Sequence, residues 1–206
     1  SDSRTGNIVY GNVMYGKYTI NDDGSYNLDG FGKIVIANDA EGDATLSLTR
    51  NGKTETLQAS VLEQKLTGAM ADKVCRTWRI AGYGLKVTYG GQVYEVEGKT
   101  LEEFAAKYYE VFQEKYRIPN DVPENVIFSK SGTYCVTYAN SKMGISYWKW
   151  KNEATGSFYY AWDNNFASAG DAKFQFDGKK LYILESKSDI DEEELTMVSY
   201  TILEEA

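Results

Sequence analysis

Histidine is absent from all 206 residues of the chain. That removes the commonest general base, the commonest metal ligand and every Ser-His-Asp or Cys-His catalytic arrangement, and with them most familiar hydrolase and zinc chemistries. Cysteine is scarce: Cys75 and Cys135 are the two, too far apart for a CxxC redox motif or a zinc knuckle. They are either a disulfide or two small buried hydrophobes, and the sequence leaves both open. Long apolar runs are missing too, and nothing approaches the ~18 residues that cross a bilayer as a helix. Positive charge is in deficit, with 22 Lys and Arg against 30 Asp and Glu and a net charge of −8. A field of that sign repels phosphate backbones and anionic lipid surfaces, so nucleic acid is not an expected partner. The sequence opens Ser1-Asp2-Ser3-Arg4 without an initiator Met. A polar start of this kind is what removal of a signal segment leaves behind, as does truncation of a longer chain, and of the two export is the expectation.

Aromatic residues are abundant: 17 Tyr, 8 Phe and 4 Trp stand against 2 Pro, the profile of an aromatic-rich β protein. From Val13 to Val61 the signals are those of a meander. Tyr18-Thr19-Ile20 and Tyr26-Asn27-Leu28 flank the turn Asn21-Asp22-Asp23-Gly24, and Lys33 to Ile36 follows. Ala44 to Thr49 and Lys53 to Leu57 then alternate polar and apolar across Asn51-Gly52, a pair that tolerates the positive φ a type I′ hairpin turn requires. With about one apolar face per strand, residues 1–65 fall below the size at which a core becomes self-sufficient. Residues 62–74 carry little β-branching, which suits a connector or a helical turn.

A long hairpin runs from Arg76 through Trp78, Ile80, Leu85 and Val87 to Gly90-Gly91 and back through Val93 to Val96. Thr100-Leu101-Glu102-Glu103 then reads as a capping box. Leu101, Phe104, Ala105, Tyr108, Val111, Phe112 and Lys115 recur at helical steps, which predicts one helix over about 100–117, ended before Pro119. Beyond Asn125 the chain is a run of strands: Val126 to Phe128, Thr133 to Tyr138, Gly144 to Lys151, Ser157 to Trp162, Ala172 to Phe176, Leu181 to Glu185 and Leu195 to Leu203. Ser131-Gly132 and Asp177-Gly178 mark two of the turns. Connections this short make neighbours antiparallel, and so long a set closes into a barrel or stacks as a sandwich rather than exposing its edges.

The segments Cys75 to Ile80, Phe128 to Tyr134 and Gly144 to Trp150 resemble the secreted lipocalin-like, or calycin-like, proteins of Gram-negative bacteria, which are often lipid-anchored. The resemblance covers roughly residues 75–203. It implies a barrel in which Trp78 plugs one end and Ser131 to Tyr134 form a hairpin, in an exported protein of the periplasm or cell surface, with or without a lipid anchor before Ser1. Arg76 stands where the G-x-W motif of eukaryotic-type lipocalins has Gly, and the last strand has no Arg to stack on Trp78.

Four aromatics on two adjacent strands are the candidate ligand contacts: Trp148, Trp150, Tyr160 and Trp162. Alternation puts Trp148 and Trp150 on one face, and Phe158, Tyr160 and Trp162 on another. Such rings either stack on a sugar or an apolar ligand, or pair across strands and fill the barrel. Of the acid clusters, Asp189 to Glu194 raises two-carboxylate glycoside hydrolysis, but a run of neighbouring acids reads first as a solvated connector. Asn21 to Gly24 with Asn27 and Asp29 raises calcium, but lacks the D-x-D-x-D-G spacing and the closing Glu, so a plain hairpin is the better reading. No catalytic residue, cofactor or metal ligand is assigned. The expectation is a mainly β protein: a small β-meander, residues 1–65, preceding an antiparallel lipocalin-like β-barrel, residues 70–206, with one inserted α-helix. Its expected role is non-enzymatic and in the cell envelope, binding a small apolar or glycan ligand, or a protein partner, through the barrel. The alternative is a structural or interaction module with a filled barrel and no ligand.

Overall fold

Pairing of alternating strands dominates both parts of the chain. The computed structural model describes residues 17–38, 43–60, 66–140, 142–188 and 195–206. The polar start, Val13, Val61, residues 62–65 of the connector and the acid run Asp189 to Glu194 lie outside the described residues. The chain divides into two compact units, Met14–Gln64 and Lys65–Ala206.

The first unit is a five-stranded antiparallel meander in sequence order: β1 (Tyr18–Ile20), β2 (Tyr26–Leu28), β3 (Gly32–Asn38), β4 (Asp43–Arg50) and β5 (Lys53–Ser60). Arg50 pairs with Lys53 around Asn51 and Gly52, both at positive φ (51° and 74°), as a type I′ turn requires. In the first turn Asp23 accepts from the hydroxyl and the backbone amide of Ser25 and from Lys33, which hold its carboxyl far below the usual carboxylate range. Asn21 Nδ2 donates to the Ser25 hydroxyl at 2.8 Å and Asn27 Nδ2 to Asn21 Oδ1 at 2.9 Å, local side-chain bonds of the kind that fix a turn. Among the described residues no group of three or more Asp, Glu or Cys is placed to hold a metal ion.

The second unit is a closed antiparallel β-barrel of eight strands with one strand outside the ring. Its strands are β6 (Thr77–Tyr89), β7 (Gln92–Gly98), β8 (Pro123–Phe128), β9 (Thr133–Tyr138), β10 (Met143–Asn152), β11 (Ser157–Ala161), β12 (Gly170–Asp177), β13 (Lys180–Ser188) and β14 (Thr196–Glu205). Strand β14 closes the ring along one edge of β6, from Glu205 opposite Trp78 to Thr196 opposite Thr88. The other edge of β6 is shared: Thr77–Arg79 pair with β8, and Tyr83–Tyr89 pair with β7. Between these zones lies a β-bulge, since Leu203 pairs with Ile80 and Ile202 with Gly82, leaving Ala81 unmatched. The bulge switches the inward set on β6 from Trp78 and Ile80 to Tyr83, Leu85 and Val87.

One end of the barrel is filled. Trp78, Phe128, Trp148, Phe158, Phe174, Leu181 and Leu203 are buried in one cluster, with Phe158 stacked on Phe174 at 4.0 Å and Phe128 edge-on to Trp148 at 5.3 Å. The connector before β6 supplies a short helix, α1 (Ala69–Val74), whose Ala71 and Val74 are buried in the same cluster. Trp78 Nε1 donates to the Val74 carbonyl at 2.8 Å, and Leu66 N to the Lys130 carbonyl at 2.9 Å, tying this plug to the strand ends. Both cysteines are free thiols on the barrel unit and half-buried; burial pushes the Cys75 thiol up to about 11 and raises Cys135 as well.

The inserted helix, α2 (Leu101–Phe112), lies over the other half of β6 and packs on β7. Thr100 Oγ1 accepts from Glu103 N at 3.1 Å and the Glu103 carboxylate accepts from Lys99 N at 2.9 Å, the reciprocal pair expected at a capped start. The helix ends at Phe112, short of the expected 117, because Gln113 turns left-handed (φ 56°) and returns its N–H to the Tyr109 carbonyl. Phe104 is buried against Leu85 and Val96, with Tyr83, Val87, Tyr108, Phe112 and Met197 around them. Thr100→Ala should lower barrel stability by about 0.5–2 kcal/mol, and Thr100→Gly by a few tenths. Chemical denaturation of the two variants checks this, and equal losses would remove the capping role.

Candidate functional site: a cavity at the barrel mouth

The wall made by β13 and β14 changes character along its length. Strict alternation turns Leu181, Ile183, Glu185 and Lys187 inward on β13, opposite Leu203, Thr201, Ser199 and Met197 on β14. At the plugged end Leu181 and Leu203 are fully buried. Toward the other end the same inward rows become Glu185, Ser199 and Thr201, and Lys187 stands exposed at the rim. Facing this polar stretch are Phe104 and Tyr108 of α2, and Tyr116 from the segment after it. Between the two walls lies a cavity of about 380 Å³. At ~30 Å³ per water that is room for about a dozen waters or one small molecule, within the range of small-ligand sites.

The aromatic wall is continuous. Phe104 and Tyr116 meet edge-on at 4.9 Å, Tyr108 and Tyr116 at 5.6 Å, and Phe104 and Tyr108 at 6.1 Å. Tyr83 lines the cavity from β6; burial, with Tyr116 and Glu102 nearby, pushes its phenol up to about 12. On the opposite wall Glu185 accepts a hydrogen bond from Tyr160. The Tyr160 ring lies over Gly170, where a Cβ would collide with it, so glycine there seats the tyrosine across the strand pair. Burial, and then the bond to Glu185, hold the Tyr160 phenol well above its ordinary value, which keeps it a donor.

The four expected contacts do not form one site. Trp148, 1% exposed, is at the centre of the filled half. Trp150 is half-buried against Trp148 and Phe174 (5.0 and 5.9 Å), with its Nε1 buried and lacking a hydrogen-bond partner. Tyr160 faces inward and reaches the cavity wall through Glu185. Trp162 follows the last residue of β11 and is 68% exposed. The cavity is instead made by Tyr83, Phe104, Tyr108, Tyr116, Glu185 and the two hydroxyl residues of β14, Ser199 and Thr201. One signal for it is present in the sequence: Leu181, Ile183, Glu185 and Lys187 fall on one strand face, so two charged residues continue an apolar inward row.

Chemically, the lining offers one carboxylate, one ammonium at the rim, two aliphatic hydroxyls, tyrosine phenols and a set of rings. A two-carboxylate glycosidase needs a second acid ~5–9.5 Å away, and the described lining holds none. The arrangement sets an aromatic surface on one side of the cavity against hydrogen-bonding groups on the other. Compared with protein-family models, with curated proteins and with solved structures, the chain matches none.

Proposed function

We propose that this protein is a non-enzymatic binding protein that takes up a small molecule in the mouth of its barrel. The observation that carries this reading is the half-filled interior: aromatic packing closes one end, while the other keeps a cavity of about 380 Å³ with a polar wall. A purely structural barrel would gain by continuing the apolar packing to both ends, since each unfilled methyl-sized void costs about 1 kcal/mol. The lipocalin-like resemblance around Trp78 and Ser131 to Tyr134 extends the proposal to an exported, cell-envelope setting, which cell fractionation tests. Native mass spectrometry of protein purified from its own organism should show a co-purifying small molecule bound one to one. Tyr108→Ala, which removes a ring from the cavity wall, should lose most of that adduct while keeping the wild-type circular dichroism spectrum. A bare protein in both cases, with no stabilisation by any compound of a small-molecule panel, would return the barrel to the structural alternative.

A further inference from the structure

The two walls of the cavity differ in kind, and the difference bears on what enters it. Glu185 is the one acidic side chain on the described lining. Its position on the inward row of a barrel strand withdraws it partly from water, where a carboxylate needs donors or a counter-charge. Tyr160 supplies one hydrogen bond. None of the ion pairs among the described residues involves Glu185. The remaining acceptor positions of the carboxylate are therefore without a charged partner, in a residue that borders the cavity. Across from it, Phe104, Tyr108 and Tyr116 offer ring faces and edges within 4.9–6.1 Å of one another. Rings of this kind attract a cation through their quadrupole, and the attraction strengthens where water is excluded. The wider field agrees, with Glu102 acting on Tyr83 and a net charge of −8 on the chain. Lys187 is the opposing charge on the lining; it lies two residues along the same face, at the exposed rim, where solvent and salt screen it.

Building on the binding function proposed above, we infer that the cavity is shaped for a ligand carrying an ammonium or related cationic head on a small apolar body, the head meeting Glu185 and the body lying against Phe104, Tyr108 and Tyr116. The polar wall alone would serve a neutral hydroxylated ligand equally well; the unpaired carboxylate is what favours charge. Ser199 and Thr201 then accept the hydrogen bonds that Glu185 leaves to the head group.

The test is a matched series on the full chain by titration calorimetry: 2-phenylethylamine, 2-phenylethanol and phenylacetate, which keep the ring and change the head from cation to neutral to anion. The amine should bind about tenfold or more tightly than the alcohol, and the anion most weakly. Glu185→Gln, nearly isosteric and checked for an unchanged melting temperature, should bring the amine to within about twofold of the alcohol and leave the alcohol where it was. Lys187→Met should leave the affinity for the amine unchanged or raise it. Equal binding of amine and alcohol by the wild type overturns the charge preference and leaves the cavity a neutral binding site. A preference that survives Glu185→Gln, or amine affinity that falls in Lys187→Met, removes Glu185 from the role. If none of the three probes binds, the inference fails outright, and the co-purification experiment separately decides whether the cavity binds anything.

Discussion

Trp78→Ala is expected to lower barrel stability by about 3–5 kcal/mol, read by chemical denaturation with near-ultraviolet circular dichroism as the probe. The indole is 2% exposed and sits where three pieces of chain converge: β14 pairs with Trp78 at Glu205, β8 at Val126, and α1 lies beyond it. Its ring packs against Phe176 at 6.3 Å and its Nε1 ties α1 to β6 through the Val74 carbonyl. Alanine would leave a void with strand backbone on two sides and a helix only six residues long on the third. Backbone held in ladders cannot collapse far into such a space, which places the loss at the upper end of large-to-small substitutions. Trp78→Phe should cost much less, about 1–2 kcal/mol. It keeps most of the ring volume, and the Val74 carbonyl it abandons still accepts from Arg76 N at 2.9 Å, so no buried acceptor is stranded. Equal losses for Ala and Phe would mean that the hydrogen bond, rather than the packing, is what seats α1. An unchanged midpoint in Trp78→Ala would remove the plug from the account of this end.

What the sequence revealed about this fold divides by the range of the interaction. The turn at Asn51-Gly52, the turn at Gly90-Gly91, the Thr100 cap and nearly every strand were legible, because each is set by neighbours a few residues apart. Strand ends moved by one to three residues, as where β8 begins at Pro123 and β12 at Gly170. The ladder was not legible where it departs from regular pairing. Ala81 is unremarkable in sequence, and only the pairing of β14 along β6 makes it a bulge that turns Tyr83 and Leu85 inward. The same holds for the aromatics. Alternation put Trp148 and Trp150 on a common face, but which face is inward follows from closure by β14 on β6, a pairing between residues more than a hundred positions apart. The density of rings at Tyr147 to Trp150 therefore marked the core, while the cavity drew on Phe104 and Tyr108, rings that helical spacing presented as an ordinary apolar face, and on Tyr116, which lies beyond the helix. Glu185 carried a signal of its own, an acid on the inward row of Leu181 and Ile183, and that kind of local contradiction is what a functional position leaves in a pattern.

Gly98→Ala is the substitution that joins stability to the site, with an expected loss of about 3 kcal/mol together with a weakened cavity. Gly98 ends β7 opposite Tyr83, two residues before the cap of α2. A Cβ there would collide with the backbone N and Cα of Phe104 and crowd the carbonyl carbon of Glu103. These are atoms of the helix itself, unable to rotate aside as a side chain would, so α2 must move off the strand. Phe104, 4% exposed, would then draw away from Leu85 and Val96, the small cluster on which the helix is seated. Gly82→Ala is the internal control: its Cβ would come to 3.0 Å from the Gly98 carbonyl oxygen and 3.2 Å from the Ile202 Cδ1, contacts a shift of a few tenths of an ångström relieves. Because Phe104 and Tyr108 form one wall of the cavity, Gly98→Ala should also weaken binding of 2-phenylethylamine several-fold. Trp78→Ala, at the plugged end, should leave that affinity unchanged in whatever fraction remains folded. The two ends of the barrel are then separable by measurement, one setting stability alone and the other setting stability and binding together. Gly98→Ala with wild-type stability would show that α2 is not held by its approach to β7, and wild-type stability with lost binding would show a helix that moves without being anchored.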